Sequence, residues 1–323
     1  MSEIGLATWV VTVAVIVGLL AIDLSMGWLK PHHVGFREAT AWSVSYVLLA
    51  LGFGAWFTWT HGSELGTEYF AGYLVEKSLS VDNLFVFVVI MATFAVPDRH
   101  QHKVLTFGII LALIMRAIFI ALGAALISMF SFVFLLFGLL LIYTAVQMHR
   151  HRDRDPDVEN NTVVRAARRL LPVTDSFVDG KIITRVRGRL MVTPLLVVLL
   201  AIGSVDLLFA LDSIPAVFGV TQEPYIVFTA NAFALLGLRA LFFLVRGLLA
   251  RLVYLSAGLA LVLAFIGVKL ILHWAHVDVS TAVPEIPTLL SLGVIAVVLT
   301  TVTIASLAGT RRASEEHERA PLS

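Results

Sequence analysis

The sequence predicts an all-α polytopic membrane protein with about nine transmembrane helices, and three observations predict it. Hydrophobic residues fill 59% of the 323 positions and charged residues 14%, where soluble domains average about 45–50% and about 25%. The mean hydropathy is +0.93. Apolar stretches near the ~20 residues that a helix needs to cross a bilayer recur along the whole chain. This balance excludes a soluble globular enzyme, a disordered chain and a nucleic-acid binder. The formal charge of +1 points to no partner, and there is no cysteine. A disulfide framework, a thiolate metal site and thiol redox chemistry by this chain are therefore excluded.

In chain order the stretches run at residues 5–24, 39–60, 69–96, 104–127, 130–148, 190–212, 225–245, 252–274 and 288–307. The first is not expected to be a cleaved signal peptide, because no basic region precedes it. Charge alternates between the stretches. Basic residues follow the first (Lys30, Arg37), third (Arg99, Lys103), fifth (Arg150 to Arg189) and seventh (Arg246, Arg251), and Arg311 and Arg312 lie in the tail. Acidic residues follow the second (Glu64, Glu68), sixth (Glu223) and eighth (Asp278, Glu285). The positive-inside rule then puts the N-terminus outside and the C-terminus inside.

The chain divides into two leading helices (1–68), a three-helix unit (69–148), a basic cytoplasmic linker (149–189), a second three-helix unit (190–274), and a last helix with its tail (275–323). The linker opens on a mixed-charge segment expected to be disordered. Residues 162–171 then place Val163, Ala166, Ala167 and Leu170 at helical spacing, with Arg165, Arg168 and Arg169 elsewhere on the wheel. That pattern suits either an interfacial helix on anionic lipid or a solvated connector, and the segment is also where a cytoplasmic protein partner would dock. Asp179-Gly180 is a turn signal between β-rich runs, which predicts a small hairpin leading into the sixth span. The histidines flanking the cytoplasmic ends (His32, His33, His100, His102, His149, His151) read as interfacial polar residues.

The two three-helix units repeat. Ser80-Val81-Asp82-Asn83-Leu84-Phe85 matches Ser204-Val205-Asp206-Leu207-Leu208-Phe209, and Arg116-Ala117-Ile118-Phe119 matches Arg239-Ala240-Leu241-Phe242. The aspartate-to-arginine separations are 34 and 33 residues. Each unit has an odd number of spans, so the second must run opposite to the first. Inverted repeats of this kind are a transporter signature, with the site near the midplane where they meet.

Charges inside these spans are costly. A carboxylate at the bilayer centre costs about 2.5–3.5 kcal/mol, and three cost about 8–10 kcal/mol. A bound cation, a proton or a basic partner must offset Glu76, Asp82 and Asp206, and Lys77, Arg116 and Arg239 are candidate partners. Glu76, Ser80 and Asn83 share a helix face, as do Asp206, Ala210 and Ser213, whereas Asp82 and Asp212 lie about 120° from their neighbours Glu76 and Asp206. If all four acids meet, at least one helix must unwind there; Pro215 either frees carbonyls as further oxygen ligands or simply ends the helix. The donors are carboxylate, amide and hydroxyl oxygens, which suit a hard divalent cation such as Mg, Ca or Mn. Asp23, at the end of the first span, reads as a cap or a solvated residue.

These motifs also carry a resemblance. Glu76-Lys77-Ser78-Leu79-Ser80-Val81-Asp82-Asn83 resembles the first signature of TerC/Alx-type membrane proteins. Residues 206–218, with Asp206, Asp212, Ser213 and Pro215, resemble the second, and the run from Asn231 to Phe243 extends the match. The resemblance implies two inverted three-helix repeats of the LysE transporter group, and an association with manganese efflux and tellurium resistance. It places Glu76, Asp82, Asn83, Asp206, Asp212 and Ser213 at the family's polar membrane positions as the metal ligands. One position departs: Gly203 stands where many relatives carry a glutamate.

The expected function is therefore divalent cation transport at the bacterial plasma membrane, most simply manganese export, with protons as a counter-substrate and no resident cofactor. The alternative is a non-transporting component of a tellurite or metal stress-resistance complex. An enzyme is not expected. The second motif reads Gly203-Ser204-Val205-Asp206 rather than the G-x-G-D of membrane aspartyl proteases, and no H-E-x-x-H is present.

Overall fold

The computed structural model describes residues 4–29, 35–150, 162–174, 176–178, 180–186, 189–245 and 254–319; the side chains of Asp82 and Asp212 are among those outside the description. Among the described residues, eleven helices and one hairpin follow in order: α1 (Leu6–Leu29), α2 (Phe36–His61), α3 (Ser63–Thr93), α4 (Asp98–Met129), α5 (Phe132–Arg150), α6 (Thr162–Leu170), β1 (Ile183–Val186), β2 (Arg189–Val192), α7 (Pro194–Phe218), α8 (Pro224–Leu235), α9 (Leu238–Val245), α10 (Leu255–Asp278) and α11 (Thr288–Arg319). Helix ends follow local chemistry. Gly62, at φ +97°, is the single residue joining α2 to α3. Pro97 precedes α4, and Thr193 caps α7 by accepting from the Leu195 amide, with Pro194 at the first helical position.

The outward faces are apolar. Along α4, Phe107, Ile110, Leu111, Ile114, Ile118 and Leu122 recur at helical spacing and are exposed, while Leu105, Ile109, Ala112 and Ile120 are buried. A helix apolar on both faces belongs in a membrane. Among the described residues, six helices are long and apolar enough to cross one: α1, α2, α4, α7, α10 and α11. The pair α8–α9, bent by 42°, makes a seventh if read as one span. By length and composition the described residues thus offer six or seven of the expected nine spans. α5 offers only the shorter apolar stretch Phe132–Met148, and the 31-residue α3 carries Glu64, Glu68, Glu76, Lys77 and Asp82.

The bundle is built on three helix pairings: α3 with α8, α4 with α7, and α5 with α10. α1 and α2 cover α8 and α9, and α11 lies on α3 and α10. The α5–α10 crossing is closest. A Cβ on Gly138 would stand 2.7 Å from the Gly267 carbonyl oxygen, and one on Gly267 2.8 Å from that of Gly138. Such backbone contact is available only to glycine.

Several expectations change at this level. The sixth span begins at Pro194 rather than residue 190, because Arg189–Val192 form β2. The hairpin exists, pairing Ile183 with Val192 and Val186 with Arg189. Its reversal follows Val186, while Gly180, at φ +65°, makes an earlier turn closed by the Lys181 amide on the Val178 carbonyl. Pro215 does not unwind α7, which continues to Phe218. The break falls in the seventh span, at Leu236–Gly237, where Gly237 has φ +77° and a Cβ would meet the Tyr46 ring at 2.5 Å. α6 packs on α7 with Val164 and Ala167 buried, whereas Ala166 and Leu170 of the expected apolar stripe are exposed. His100 and His102 pack against the rings of Phe177 and Phe243. The segment expected to be disordered, residues 151–161, lies outside the described residues, as do His32, His33 and His151.

Candidate functional site

Arg116 is the centre of the site. It lies on the inward face of α4 and is 0% exposed. Its guanidinium pairs with Glu76 of α3 and stands 3.9 Å from the Asp206 carboxylate of α7. Nη1 donates to the Asn231 side-chain oxygen on α8 at 2.8 Å. Asn83, with its amide oxygen turned to the guanidinium, accepts from Nη2 at 3.1 Å and donates to the Leu79 carbonyl at 3.0 Å. Three helices thus place two carboxylates and two amides around a cation carried by a fourth. A planar guanidinium with five donors suits that many partners, and a lysine would not reach them.

The face argument from sequence holds for these residues. Glu76, Ser80 and Asn83 are all buried on α3, and Asp206, Ala210 and Ser213 are all buried on α7. Glu76 and Asp206 therefore share one cation although both helices stay regular. Oxygens remain unused. Glu76 Oε2, Asp206 Oδ2 and the Ser80 and Ser213 hydroxyls are buried without a hydrogen-bond partner. Buried polar atoms are rarely left so. Asp82 and Asp212 sit on α3 and α7 with side chains outside the description. Among the described residues, no three acids or histidines are grouped as a metal site. Of the six expected ligands, the structure brings Glu76, Asn83 and Asp206 together, around an arginine.

A second buried ion pair was not anticipated. Asp23, expected as a cap or solvated residue, is 3% exposed. It accepts from Arg239 at 3.3 Å and from the Tyr46 hydroxyl at 3.0 Å. Arg239 lies two residues beyond the α8–α9 break, and Tyr46 is the ring that packs on Gly237. The break thus positions the pair. Lys77 also serves it, donating to the Ala234 carbonyl at 3.1 Å. A broken helix leaves carbonyls without intrahelical partners, and Lys77 satisfies one of them.

Asn231 was missed as a site residue. Its signal was a lone amide in a helix whose other described residues are nearly all apolar and buried. Tyr46 and the Lys77 contact had no such signal, since both depend on which helices meet. Gly203 packs tightly, and a Cβ there would stand 2.7 Å from Leu111 Cδ2. Near the start of α3, a cavity of about 980 Å³ is lined by Glu64, Glu68, Lys269, His273 and Glu285, among others. Gln222 and Glu285 both bond the His273 ring there, at 2.9 and 2.7 Å. Glu68 and Glu76 are eight residues apart on α3, about 12 Å along its axis.

Comparison with known proteins places this arrangement. The profile of the integral membrane protein TerC family matches residues 61–314. An uncharacterized membrane protein of Myxococcus xanthus is 44% identical over 313 residues, covering 97% of this chain and 96% of its own. One of Mycobacterium tuberculosis strain H37Rv is 47% identical over 272 residues, covering 83% and 68%. A protein of Salmonella typhi, named as a candidate membrane-bound redox modulator, Alx, is 39% identical over 296 residues, covering 88% and 89%. No solved structure matches. The match covers both charged motifs and every helix that contributes to the Arg116 cluster, and the chain belongs to the TerC family of integral membrane proteins.

Proposed function

We propose that this chain is a divalent cation transporter, most simply a manganese exporter that takes protons in exchange, with its site where α3, α4, α7 and α8 meet. The observation that carries the reading is the sharing of one buried guanidinium by Glu76 and Asp206, which come from the two halves of the chain. The pairings α3–α8, α4–α7 and α5–α10 each join a helix of one half to one of the other, as an inverted repeat requires. The break in α8–α9 supports the reading, since transporter sites are typically formed by discontinuous helices.

The buried, unpaired oxygens of Glu76, Asp206, Ser80 and Ser213 support the same reading. In the site, Arg116 acts as a resident counter-ion. An arriving cation takes over the carboxylates and unused oxygens as the guanidinium turns away, and protons or Arg116 take them back on release. The acidic cavity beside Glu68 would be the outer vestibule, with the N-terminus outside and the C-terminus inside. No chemical step on a substrate is part of this reading.

The test is manganese flux in proteoliposomes holding the purified protein, with and without a pH gradient and with calcium and magnesium as competitors. Saturable flux that is lost in Asp82→Asn and Asp206→Asn supports the reading. Absence of flux for every divalent ion, with folded protein shown, sinks it and leaves the stress-complex role.

A further inference from the structure

We propose that the hairpin β1–β2 is a binding element for anionic phospholipid, laying one face of its ribbon in the headgroup layer. Cross-strand partners share a face and successive pairs alternate. The register therefore puts Ile183, Val192, Arg185 and Leu190 on one face. On that face Ile183 is 57% exposed and Leu190 62% exposed, with exposed Arg185 directly opposite Leu190. Two large aliphatic side chains beside a guanidinium is the composition of an interfacial contact, apolar into the acyl boundary and cationic on phosphate.

The ribbon is tethered close to the start of α7. Leu190 is four residues before Pro194, where α7 begins, which is at most ~13 Å of extended chain. The Thr193 amide donates to the Ile182 carbonyl at 2.9 Å, and the Thr193 hydroxyl to the Lys181 carbonyl at 2.6 Å. The strand β2 is also tied to residues 172–174 through Val192, in both directions at 2.9 Å. Lys103 of α4 holds the Gly180 carbonyl at 3.4 Å. A two-stranded ribbon is marginal alone, and this one is fastened to two helices at the end of the bundle.

Charge selects the occupant. Residues 162–193 hold seven lysines and arginines against two aspartates, and Arg165, Arg169, Lys181, Arg185 and Arg189 are exposed. Val164 and Ala167 of α6 are buried, so among the described residues the large exposed aliphatic side chains beside this charge are those of the hairpin, Leu170 and Leu171. A basic surface fixed at the boundary of a bilayer meets anionic headgroups at high local concentration. This proposal does not depend on what the chain transports.

The native chain has no cysteine, so single spin labels are clean. Ile183→Cys and Leu190→Cys are labelled in the full-length protein and reconstituted into phosphatidylcholine vesicles with or without phosphatidylglycerol. The expected result is a several-fold rise in accessibility to oxygen relative to a water-soluble nickel complex in the anionic vesicles. That rise is lost in pure phosphatidylcholine and in an Arg185→Gln background. Labels open to nickel in both vesicles overturn the proposal and leave the face to an acidic protein partner. Labels equally embedded in both overturn its anionic specificity.

Discussion

Replacing Arg116 by methionine removes the one cation that Glu76 and Asp206 share and keeps most of the side-chain volume. Both carboxylates are buried, and each has an oxygen without a hydrogen bond even with the guanidinium present. Removing one member of a buried ion pair costs about 3–5 kcal/mol, because the remaining charge is left in low dielectric. Here two acids and two amides lose their partner together, so Arg116→Met falls at the upper end, about 5 kcal/mol. That is a shift of about three and a half orders of magnitude in the unfolding equilibrium. The assay is reversible unfolding in mixed micelles, comparing Arg116→Met with Arg116→Met/Glu76→Gln. Neutralising Glu76 removes the nearer stranded charge and is expected to recover about half of the loss. Arg116→Met within about 0.5 kcal/mol of the native protein, or no recovery in the double variant, would refute the reasoning. Either result would mean that the acids are satisfied by something other than Arg116.

Two further outcomes follow from contacts elsewhere. Gly138→Ala forces a Cβ to within 2.7 Å of the Gly267 carbonyl oxygen and 2.6 Å of Ile271 Cγ1. Because backbone cannot yield as a side chain does, a loss of about 1–3 kcal/mol is expected, read by the same unfolding assay; Gly52→Ala, with open space around it, should be neutral. Lys77→Met keeps the stem but removes the ammonium from the Ala234 carbonyl at the break. A hydrogen bond to a charged group is worth about 1.5–3 kcal/mol, and faster amide exchange confined to α8–α9 is the expected sign; unchanged exchange there would show that the break does not rely on Lys77.

The membrane class, the helical segments and the sharing of faces by Glu76, Ser80 and Asn83 were legible because hydropathy and the 3.6-residue period are local properties. The paired motifs around Asp82 and Asp206 were legible for a related reason: a charge inside an apolar run is conspicuous. A short hairpin before the sixth span was legible, but its turn was not: Asp179-Gly180 signals a reversal, whereas the strands pair Val186 with Arg189. What sequence reasoning misplaced was set by contacts between distant segments. Pro215 is tolerated inside α7, while the break falls at Gly237 because a positive φ is needed there and the Tyr46 ring leaves no room for a Cβ. Asp23 looked like a helix-end residue until α9 brought Arg239 and α2 brought Tyr46 to it. The sequence by itself determined that buried acids must find compensation, since their desolvation cost does not depend on the fold. Only the tertiary structure decided that Arg116 compensates both Glu76 and Asp206, because a charge pair is chosen by distance in space and α3, α4 and α7 meet only in the folded bundle.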